Sequence, residues 1–216
     1  MERVAVVDYG MGNLRSVAKA LEHVAGDDRE IVVSDDARVI AAADRVVFPG
    51  QGAIRDCMME IDRLGLGPAL REALGAKPFL GICIGLQALM DASEEHQTTR
   101  GLGFLAGGVR RFPADVRDEA TGERLKVPHM GWNRVLQAKP HPLWSGIDSG
   151  ERFYFVHSYY VVPEDASVVA GRTRYGVEFT CAVAFARGFA VQFHPEKSQR
   201  AGLALLANFL AWNGER

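Results

Sequence analysis

The sequence predicts an α/β protein with a central, mostly parallel β-sheet that is flanked by helices and gains antiparallel strands in its second half. In the first half, short apolar runs of strand length alternate with segments of helical spacing. After about residue 102, strand patterns separated by turn signals predominate. The chain has 216 residues, of which 48% are hydrophobic, so we expect one domain over residues 1–216.

Four short apolar runs in the first half are predicted as buried parallel strands, because they are rich in branched side chains and end near Gly, Pro or Asp. They cover residues 4–7, 31–33, 46–48 and 78–83. Between them, apolar residues recur at helical spacing in 14–24 and 86–90, which predicts a helix in each segment. This alternation is typical of βαβ units.

The second half is predicted to add five strands and a final helix. The strands cover residues 104–112, 127–136, 153–162, 181–185 and 189–193, and the helix covers 201–212. Turn signals such as DSG at 148–150 and ARG at 186–188 separate these segments. We expect the added strands to be antiparallel, and no internal repeat or low-complexity linker interrupts the pattern.

Charge and composition argue against several classes of protein. The formal net charge is -2, with both signs spread along the chain, so we expect neither a nucleic-acid surface nor an acidic tail. Charges enter at Glu2 and Arg3, too early for a signal peptide, and no apolar run approaches the ~18 residues of a membrane span. A soluble, cytoplasmic protein is expected.

Three widely spaced cysteines without CxxC pairing indicate free thiols, so no disulfide framework, metal or cofactor is expected.

The first chemical motif is a cysteine between two glycines at the end of a predicted strand. GICIG at residues 81–85 closes the strand and opens a helix, which is the layout of a nucleophile elbow with the thiol of Cys83 in place of a hydroxyl. Glycine suits the crowded flanks of such a turn, and the start of a helix favours a thiolate. A small buried cysteine at a strand end is the structural alternative, which this motif alone leaves open.

The stretch QFHPEKS at residues 192–198 could supply the base that a thiolate nucleophile needs. In an extended chain, residues two apart project to the same side, and Pro195 fixes its own backbone angle. Glu196 could then orient the imidazole of His194 toward Cys83. The chain has five other histidines, so His-x-Glu alone is weak evidence. Together with the cysteine elbow, it predicts a Cys-His-Glu triad.

A third motif is the glycine-rich loop that follows the predicted strand 46–48. Gly50, Gln51 and Gly52 could turn backbone N–H groups toward a developing oxyanion, together with the N–H of Ile84. An ordinary strand-to-helix turn is the alternative, and periodicity does not decide between them.

GICIGLQ at residues 81–87 and FHPE at 193–196 together resemble the catalytic signature of class I glutamine amidotransferases, which release ammonia from glutamine. The resemblance spans the chain from first strand to last and implies the flavodoxin-like fold of that family. Four further stretches resemble the glutaminase subunits of imidazole glycerol phosphate synthases. They are DYGMGN at 8–13, PHMGWN at 128–133, YFVHSY at 154–159 and KS at 197–198.

The resemblance implies that Cys83 attacks the side-chain amide of glutamine. His194, oriented by Glu196, would protonate the leaving ammonia and then activate water against the thioester. Other positions would surround the substrate, and the resemblance implies no cofactor. They are Gly50, Gln51 and Ile84 at the oxyanion, and Gly52, Gln87, Glu95, Ser158 and Tyr159 at the glutamine. Without the family match, Glu95 would be interpreted as a solvated residue in a charged run.

The resemblance also implies a partner, because ammonia loses its nucleophilicity when water protonates it. A separate (β/α)8-barrel cyclase subunit would form a heterodimer with this chain, receive the ammonia and make imidazole glycerol phosphate and AICAR in histidine biosynthesis. The docking face would include Asn13, Trp132, Tyr154 and Lys197, with Lys197 paired to an acidic residue of the cyclase. The glycines beside Asn13 would then belong to that face rather than to a phosphate site.

Alternatives from other classes remain open at this point. One is a cysteine hydrolase that acts alone, such as a γ-glutamyl peptidase, and the stretches at 128–133 and 197–198 argue against it. Another is a non-catalytic flavodoxin-like binding module with an incidental thiol. Among enzymes, glutaminase subunits of other synthases are the nearest competitors. Gln51, Ile84 and Leu86 depart from the family's common residues, but the oxyanion loop acts through its backbone, so Gln51 does not contradict the resemblance.

Overall fold

The computed structural model describes residues 1–96 and 98–215, in which one 13-stranded sheet is covered by helices. The strands are β1 (Glu2–Val7), β2 (Arg29–Ser34), β3 (Arg45–Gly50), β4 (Phe79–Cys83), β5 (Met90–Ser93), β6 (Thr99–Arg100), β7 (Leu105–Arg111), β8 (His129–Gln137), β9 (Glu151–His157), β10 (Tyr159–Pro163), β11 (Val169–Tyr175), β12 (Val177–Phe185) and β13 (Gly188–Val191). The α-helices are α1 (Leu14–Ala25), α2 (Ala37–Ala42), α3 (Ile54–Arg63), α4 (Gly67–Ala76), α5 (Ile84–Gln87) and α6 (Gln199–Ala211). Short 3-10 turns lie at Pro142–Trp144, Ala166–Val168 and Pro195–Lys197.

The sheet joins a parallel part to an antiparallel part. Strands β2, β1, β3, β4 and β13 are neighbours in that order, and each adjacent pair is parallel. Strand β12 then pairs antiparallel with β13, and β10, β7 and β11 continue the antiparallel part. The predicted architecture is therefore confirmed, and β4 and β13, which carry the two chemical motifs, are direct neighbours.

Both faces of the inner parallel strands β1, β3, β4 and β13 are buried, which explains why their sequences are almost continuously apolar. The prediction that residues 31–33 form a buried strand was wrong in one respect, because β2 lies at the sheet edge, where its residues are only half-buried and Val33 is 42% exposed. In β1, Val4 and Val6 pack into the cluster that contains α1 and α6, whereas Ala5 and Val7 pack into the cluster that contains α2, α3 and α4. Successive strand residues point to opposite faces, so one strand serves both clusters. Within the described residues, no helix combines the length and apolar character needed to cross a membrane.

Helix α6 supports the turn that follows β13. A Cβ atom on Gly202 would lie 1.9 Å from the carbonyl oxygen of Pro195, so only glycine allows the helix to approach so closely. At the other end of α6, the buried Arg45 guanidinium donates to the carbonyl oxygens of Phe209 (3.1 Å) and Trp212. The helix is thus held at both ends against the sheet.

Most of the predicted elements are confirmed, but the bounds of two predicted elements were wrong. The predicted helix 86–90 ends at Gln87, and Met90 begins β5, because periodicity cannot distinguish a short buried helix from a buried strand. The predicted strand 153–162 is interrupted at Ser158, which separates β9 from β10. Helices α2, α3 and α4 and strands β5, β6 and β11 were not predicted. Helix α3 had a readable signal, since its buried residues Ile54, Cys57, Met58 and Ile61 follow helical spacing.

Candidate active site

Cys83 occupies a sharp turn between β4 and α5. Its φ of 55° lies in the left-handed region, which an ordinary side chain adopts only under constraint. The flanking glycines explain how the turn fits. A Cβ atom on Gly85 would lie 1.9 Å from the carbonyl oxygen of Phe48, and one on Gly81 would lie 2.9 Å from the Cβ atom of Ala190. The strand–turn–helix geometry is therefore that of a nucleophile elbow.

A cavity of about 420 Å³ opens beside this turn. Its wall is formed by Gln51, Gly52, Cys83, Ile84, Gln87, Glu95, Pro128, Tyr154, Val156, His157, Ser158, Tyr159, His194 and Lys197. The other two cysteines, Cys57 and Cys181, are fully buried outside this wall. Burial raises the pKa of the Cys57 thiol to about 12 and also raises the pKa of Cys181. Of the three thiols, Cys83 is therefore the one placed to meet a substrate.

His194 and Glu196 form a buried pair in the same region. Nδ1 of His194 and Oε1 of Glu196 are 2.8 Å apart, and both side chains are at most 2% exposed. The expected extended geometry was wrong, because Pro195 starts a 3-10 turn that bends the chain and brings Glu196 back to the ring. With Nδ1 donating to Glu196, the tautomer and orientation of the imidazole are determined.

The imidazole of His194 lies in the electrostatic field of the Cys83 sulfur. Burial alone lowers the pKa of His194, but the interactions with Cys83 and Glu196 outweigh it and raise the pKa to about 10. Nε2 is buried and has no hydrogen-bond partner within residues 1–96 and 98–215, and no hydrogen bond of normal geometry joins it to the sulfur. The raised pKa keeps the His194 ring protonated at neutral pH, so Nε2 carries a proton that is available to a substrate.

Two buried glutamines form a hydrogen-bonded chain that ends at the sulfur. Nε2 of Gln192 lies 3.5 Å from Sγ of Cys83, and Oε1 of Gln192 accepts from Nε2 of Gln87 at 3.1 Å. The same Gln87 nitrogen donates to the carbonyl oxygen of Tyr159 at 3.1 Å. Gln87 was predicted at the glutamine site and lies in the cavity wall, but Gln192 was not predicted, although it opens the QFHPEKS stretch.

The loop of Gly50, Gln51 and Gly52 borders the cavity beside the elbow. A Cβ atom on Gly50 would lie 2.0 Å from the hydroxyl oxygen of Tyr9 and 2.8 Å from Cβ of Ile84, so glycine is required there. Gln51 and Gly52 are in the cavity wall, whereas Gly50 is not part of it. Ile84 begins α5, and the first N–H groups of a helix have no partner within the helix. The structure thus brings together the backbone groups predicted for an oxyanion hole.

Glu95 lies at the edge of the cavity, at the start of α3. Its Oε2 accepts a hydrogen bond from the backbone N–H of Ile54 at 2.9 Å, which holds the carboxylate in place. Ser158 and Tyr159 also line the cavity, at the point where β9 passes into β10. Pro128, Val156 and His157 complete the wall, but none of the three was predicted as a site residue.

A pair of buried histidines is formed by His157, which lies in the cavity wall, and His129, which does not. His157 Nδ1 is 2.8 Å from the carbonyl oxygen of Tyr159, and His157 Nε2 is 2.9 Å from His129 Nδ1. Because a carbonyl oxygen only accepts, Nδ1 of His157 carries its proton and Nε2 accepts from His129. Asn133 Nδ2, 3.3 Å away, can donate to the remaining nitrogen of His129. Burial lowers the pKa of His157 to about 3 and that of His129 to about 4, so both rings are neutral at pH 7.

These two histidines predict an acid-sensitive fold. Below about pH 6.5 the unfolded chain protonates both rings while the folded chain does not, so the unfolded state binds more protons and stability falls as pH falls. Between neutral pH and about pH 5, each histidine is expected to cost about 2 kcal/mol of unfolding free energy. His129→Gln keeps only one of the two histidines. Between neutral pH and about pH 5, its free energy of unfolding in urea should therefore fall by about half as much as that of the unsubstituted chain. The exposed His23, changed to Gln, serves as the control, and equal pH slopes in all three proteins would contradict the prediction.

The residues predicted to dock a partner lie close to the cavity or its loops. Trp132 and Tyr154 face each other on β8 and β9, with ring centroids 6.0 Å apart, and Trp132 is 43% exposed. Tyr154 and Lys197 are in the cavity wall, and within residues 1–96 and 98–215 no carboxylate forms an ion pair with Lys197. Asn13 lies outside the wall, at the start of α1, and the neighbouring Gly12 approaches the loop of Gly50, Gln51 and Gly52.

Comparison with known proteins agrees with this geometry. The family model for glutamine amidotransferase class-I matches residues 5–212. The imidazole glycerol phosphate synthase subunit HisH of Aromatoleum aromaticum is 62% identical over 98% of this chain and 99% of its own length. The corresponding subunit of Thiobacillus denitrificans is 61% identical over 97% of this chain and 91% of its own length.

A solved structure shares the fold at lower identity. A crystal structure of a glutamine amidotransferase superimposes with a TM-score of 0.69 at 18% identity, covering 97% of this chain and 99% of that chain. At that identity the likeness shows the fold alone, whereas the family match and the near-complete coverage of the HisH relatives determine the family. This chain belongs to the class I glutamine amidotransferases and, within them, to the HisH subunits of imidazole glycerol phosphate synthase.

Proposed function

We propose that Cys83, His194 and Glu196 form the triad with which this HisH subunit hydrolyses glutamine to glutamate and ammonia. One observation carries the proposal: the thiol of Cys83 and the ring of His194, which Glu196 holds from behind, border a single cavity. A cavity of about 420 Å³ is large enough for a small amino acid. The HisH relatives favour this function over a free-standing hydrolase, a binding module or the glutaminase of another synthase.

In the first half of the proposed reaction, Cys83 acts as a thiolate and His194 as an imidazolium. Sγ of Cys83 attacks the side-chain carbonyl carbon of glutamine, and the oxyanion that forms is stabilised by the N–H of Ile84 and by N–H groups of the loop of Gly50, Gln51 and Gly52. Nε2 of His194 gives its proton to the amide nitrogen. The C–N bond then breaks, ammonia leaves, and a thioester remains on Cys83.

The second half restores the enzyme. Nε2 of His194, now unprotonated, takes a proton from water, and the resulting hydroxide attacks the thioester carbon. Glutamate leaves, and Cys83 returns as a thiolate beside the imidazolium. Throughout, Glu196 accepts from Nδ1 and keeps that nitrogen protonated, so Nε2 is the atom that exchanges protons.

Gln87, Glu95, Ser158 and Tyr159 are proposed to hold the substrate. The Glu95 carboxylate, fixed at the start of α3, is placed to accept a hydrogen bond from the ammonium of the glutamine. Gly52 lies beside it in the wall and has a φ of 91°, which allows the loop to bend close to the ligand.

We further propose that ammonia passes to a (β/α)8-barrel cyclase subunit, which makes imidazole glycerol phosphate and AICAR in histidine biosynthesis. Lys197 supports this role, because its ammonium borders the cavity and has no acidic partner in the described chain. An acidic residue of the cyclase would supply that partner, while the exposed Trp132, with Tyr154 and Asn13, contributes contact area. On this proposal residues 1–216 act as one domain in the cytoplasm, without nucleic acid or a membrane as partner.

The proposal is tested by measuring glutamate release from glutamine by the purified chain, alone and with the cyclase and its nucleotide ligand. We expect low activity alone, a strong rise in the complex, and a rise about 10-fold smaller with Lys197→Ala, because a partly desolvated pair is lost. Lys77→Ala is the matched control, since Lys77 precedes β4 at the end of that strand opposite Cys83. If the chain alone already released glutamate rapidly and the cyclase did not change that rate, control by the partner would be contradicted. Only the proposed triad would then stand.

A further inference from the structure

We infer that Gln192 is a positioning residue for the reaction, whose side-chain amide donates an N–H···S hydrogen bond that orients the Cys83 sulfur and favours its thiolate form. The inference rests on the proposed role of Cys83 as nucleophile. It gives a function to a buried polar side chain that the mechanism above does not use.

The register of the sheet places the two residues side by side. Strands β13 and β4 are parallel neighbours, with Val191 opposite Ile82, so the next residues along each strand are Gln192 and Cys83. The backbone N–H of Gln192 donates to the carbonyl oxygen of Cys181 at 2.8 Å, which continues the pairing of β13 with β12 beyond the strand end. Gln192 is therefore anchored by its main chain on one side while its side chain meets the sulfur on the other.

The direction of the Gln192 amide follows from its partners. The carbonyl oxygen of Tyr159 only accepts, so the atom of Gln87 that lies 3.1 Å from it is the side-chain nitrogen. That nitrogen also lies 3.1 Å from the Gln192 amide and must meet its oxygen. The Gln192 nitrogen therefore points at Sγ of Cys83, at 3.5 Å. Only this orientation of the two side-chain amides satisfies all three hydrogen bonds.

An N–H donor at this place acts on the charge of the sulfur. A hydrogen bond to a charged acceptor is stronger than one to a neutral acceptor, so the contact stabilises a thiolate more than a thiol or a thioester. Gln192 is fully buried, so water does not compete for the same position. The same bond would favour both the attacking thiolate and the thiolate that leaves when the thioester is hydrolysed.

A purely structural role makes a different prediction. If Gln192 only supported Gln87 and the wall of the cavity, its loss would change stability and the KM for glutamine. It would not change the pH at which Cys83 becomes reactive. The pH profile of Cys83 alkylation therefore separates the two roles, and it requires neither glutamine nor the cyclase.

The test uses Gln192→Met, which keeps the length but removes the donor, and Gln192→Glu, which places a carboxylate beside the sulfur. The rate of iodoacetamide labelling at Cys83 is followed by mass spectrometry from about pH 5 to about pH 10. We expect the midpoint to move to higher pH in both variants, further for Gln192→Glu. In the complex, we expect kcat to fall about 10- to 100-fold with a smaller change in KM.

Matched controls make the outcome decisive. Thr173→Val replaces a buried hydroxyl that has no hydrogen-bond partner in the described chain and should leave the midpoint unchanged. Buried Cys57 and Cys181 report any general loosening in the same samples, because they label only if the fold opens. Unchanged midpoints in both folded Gln192 variants would overturn the inference. A shifted midpoint in a protein that never releases glutamate would instead overturn the proposed function, and only the effect of Gln192 on the Cys83 thiol would stand.

Discussion

Replacing Cys83 with alanine is expected to abolish the glutamine-dependent activity of the complex while its activity with added ammonium salt survives. Alanine cannot form the thioester, and loss of one member of a nucleophile–base unit lowers kcat on the order of 10⁴- to 10⁶-fold. The change removes only one sulfur atom from the cavity wall and leaves the proposed docking face around Lys197 unaltered. The cyclase should therefore still bind and still use ammonia from solution.

The measurement compares product formation by the complex with glutamine and with an ammonium salt. Cys57→Ala is the matched control, because Cys57 is fully buried in α3 and lies outside the cavity wall. We expect it to retain both activities. Residual glutamate release by Cys83→Ala near the unsubstituted level would show that another group is the nucleophile, and loss of both activities would point to failed assembly.

The sequence was sufficient to predict the parallel strands because they obey one simple rule. Strands β1, β3 and β4 are buried on both faces, so each is a short, nearly continuous apolar run with a Gly, Pro or Asp nearby. Helix α1 was predicted for the complementary reason, since its apolar residues keep helical spacing. Elements with one simple pattern of burial, either on both faces of a strand or on one face of a helix, can be predicted from the sequence alone.

The secondary structure of segments that are buried from all sides could not be predicted from the sequence in this way. Residues 84–90 are all buried, so no periodicity distinguishes the four-residue α5 from the start of β5. The extended geometry expected for the stretch at 192–198 was wrong for a related reason. Proline is compatible with both an extended chain and the first turn of a helix, and the contact of Gly202 with Pro195 was not visible in the sequence.

The residues of the candidate site also fall into those that the sequence predicts and those that it does not. Cys83, His194 and Glu196 could be predicted because glycine flanks and short spacings along the chain mark them. Gln192 and His157 could not, because their partners Cys83 and His129 are distant in sequence and only the strand register brings them together. Supporting residues of a site depend on packing between strands, and that information is spread over the whole chain.

Replacing Gly85 with alanine is expected to damage the elbow itself. Its Cβ atom would lie 1.9 Å from the carbonyl oxygen of Phe48, which β3 holds in the sheet, so the turn rather than the strand must move. Overpacking a fixed core contact costs about 3 kcal/mol, and we expect a loss of that size in the free energy of unfolding. The same displacement moves Cys83 relative to His194, and a shift of about 1 Å is enough to lower turnover about 100-fold.

Gly75→Ala provides the comparison, because Gly75 lies in α4 and an added Cβ atom there meets nothing within 4 Å. Alanine has the higher helix propensity, so this variant should gain about 0.5–1 kcal/mol and keep full activity. Urea unfolding and glutamate release in the complex measure both effects on both proteins. If Gly85→Ala unfolded at the same urea concentration as Gly75→Ala and kept its turnover, the elbow would tolerate a side chain at this position. The close approach of β3 to α5 would then not be what holds Cys83 in its left-handed conformation.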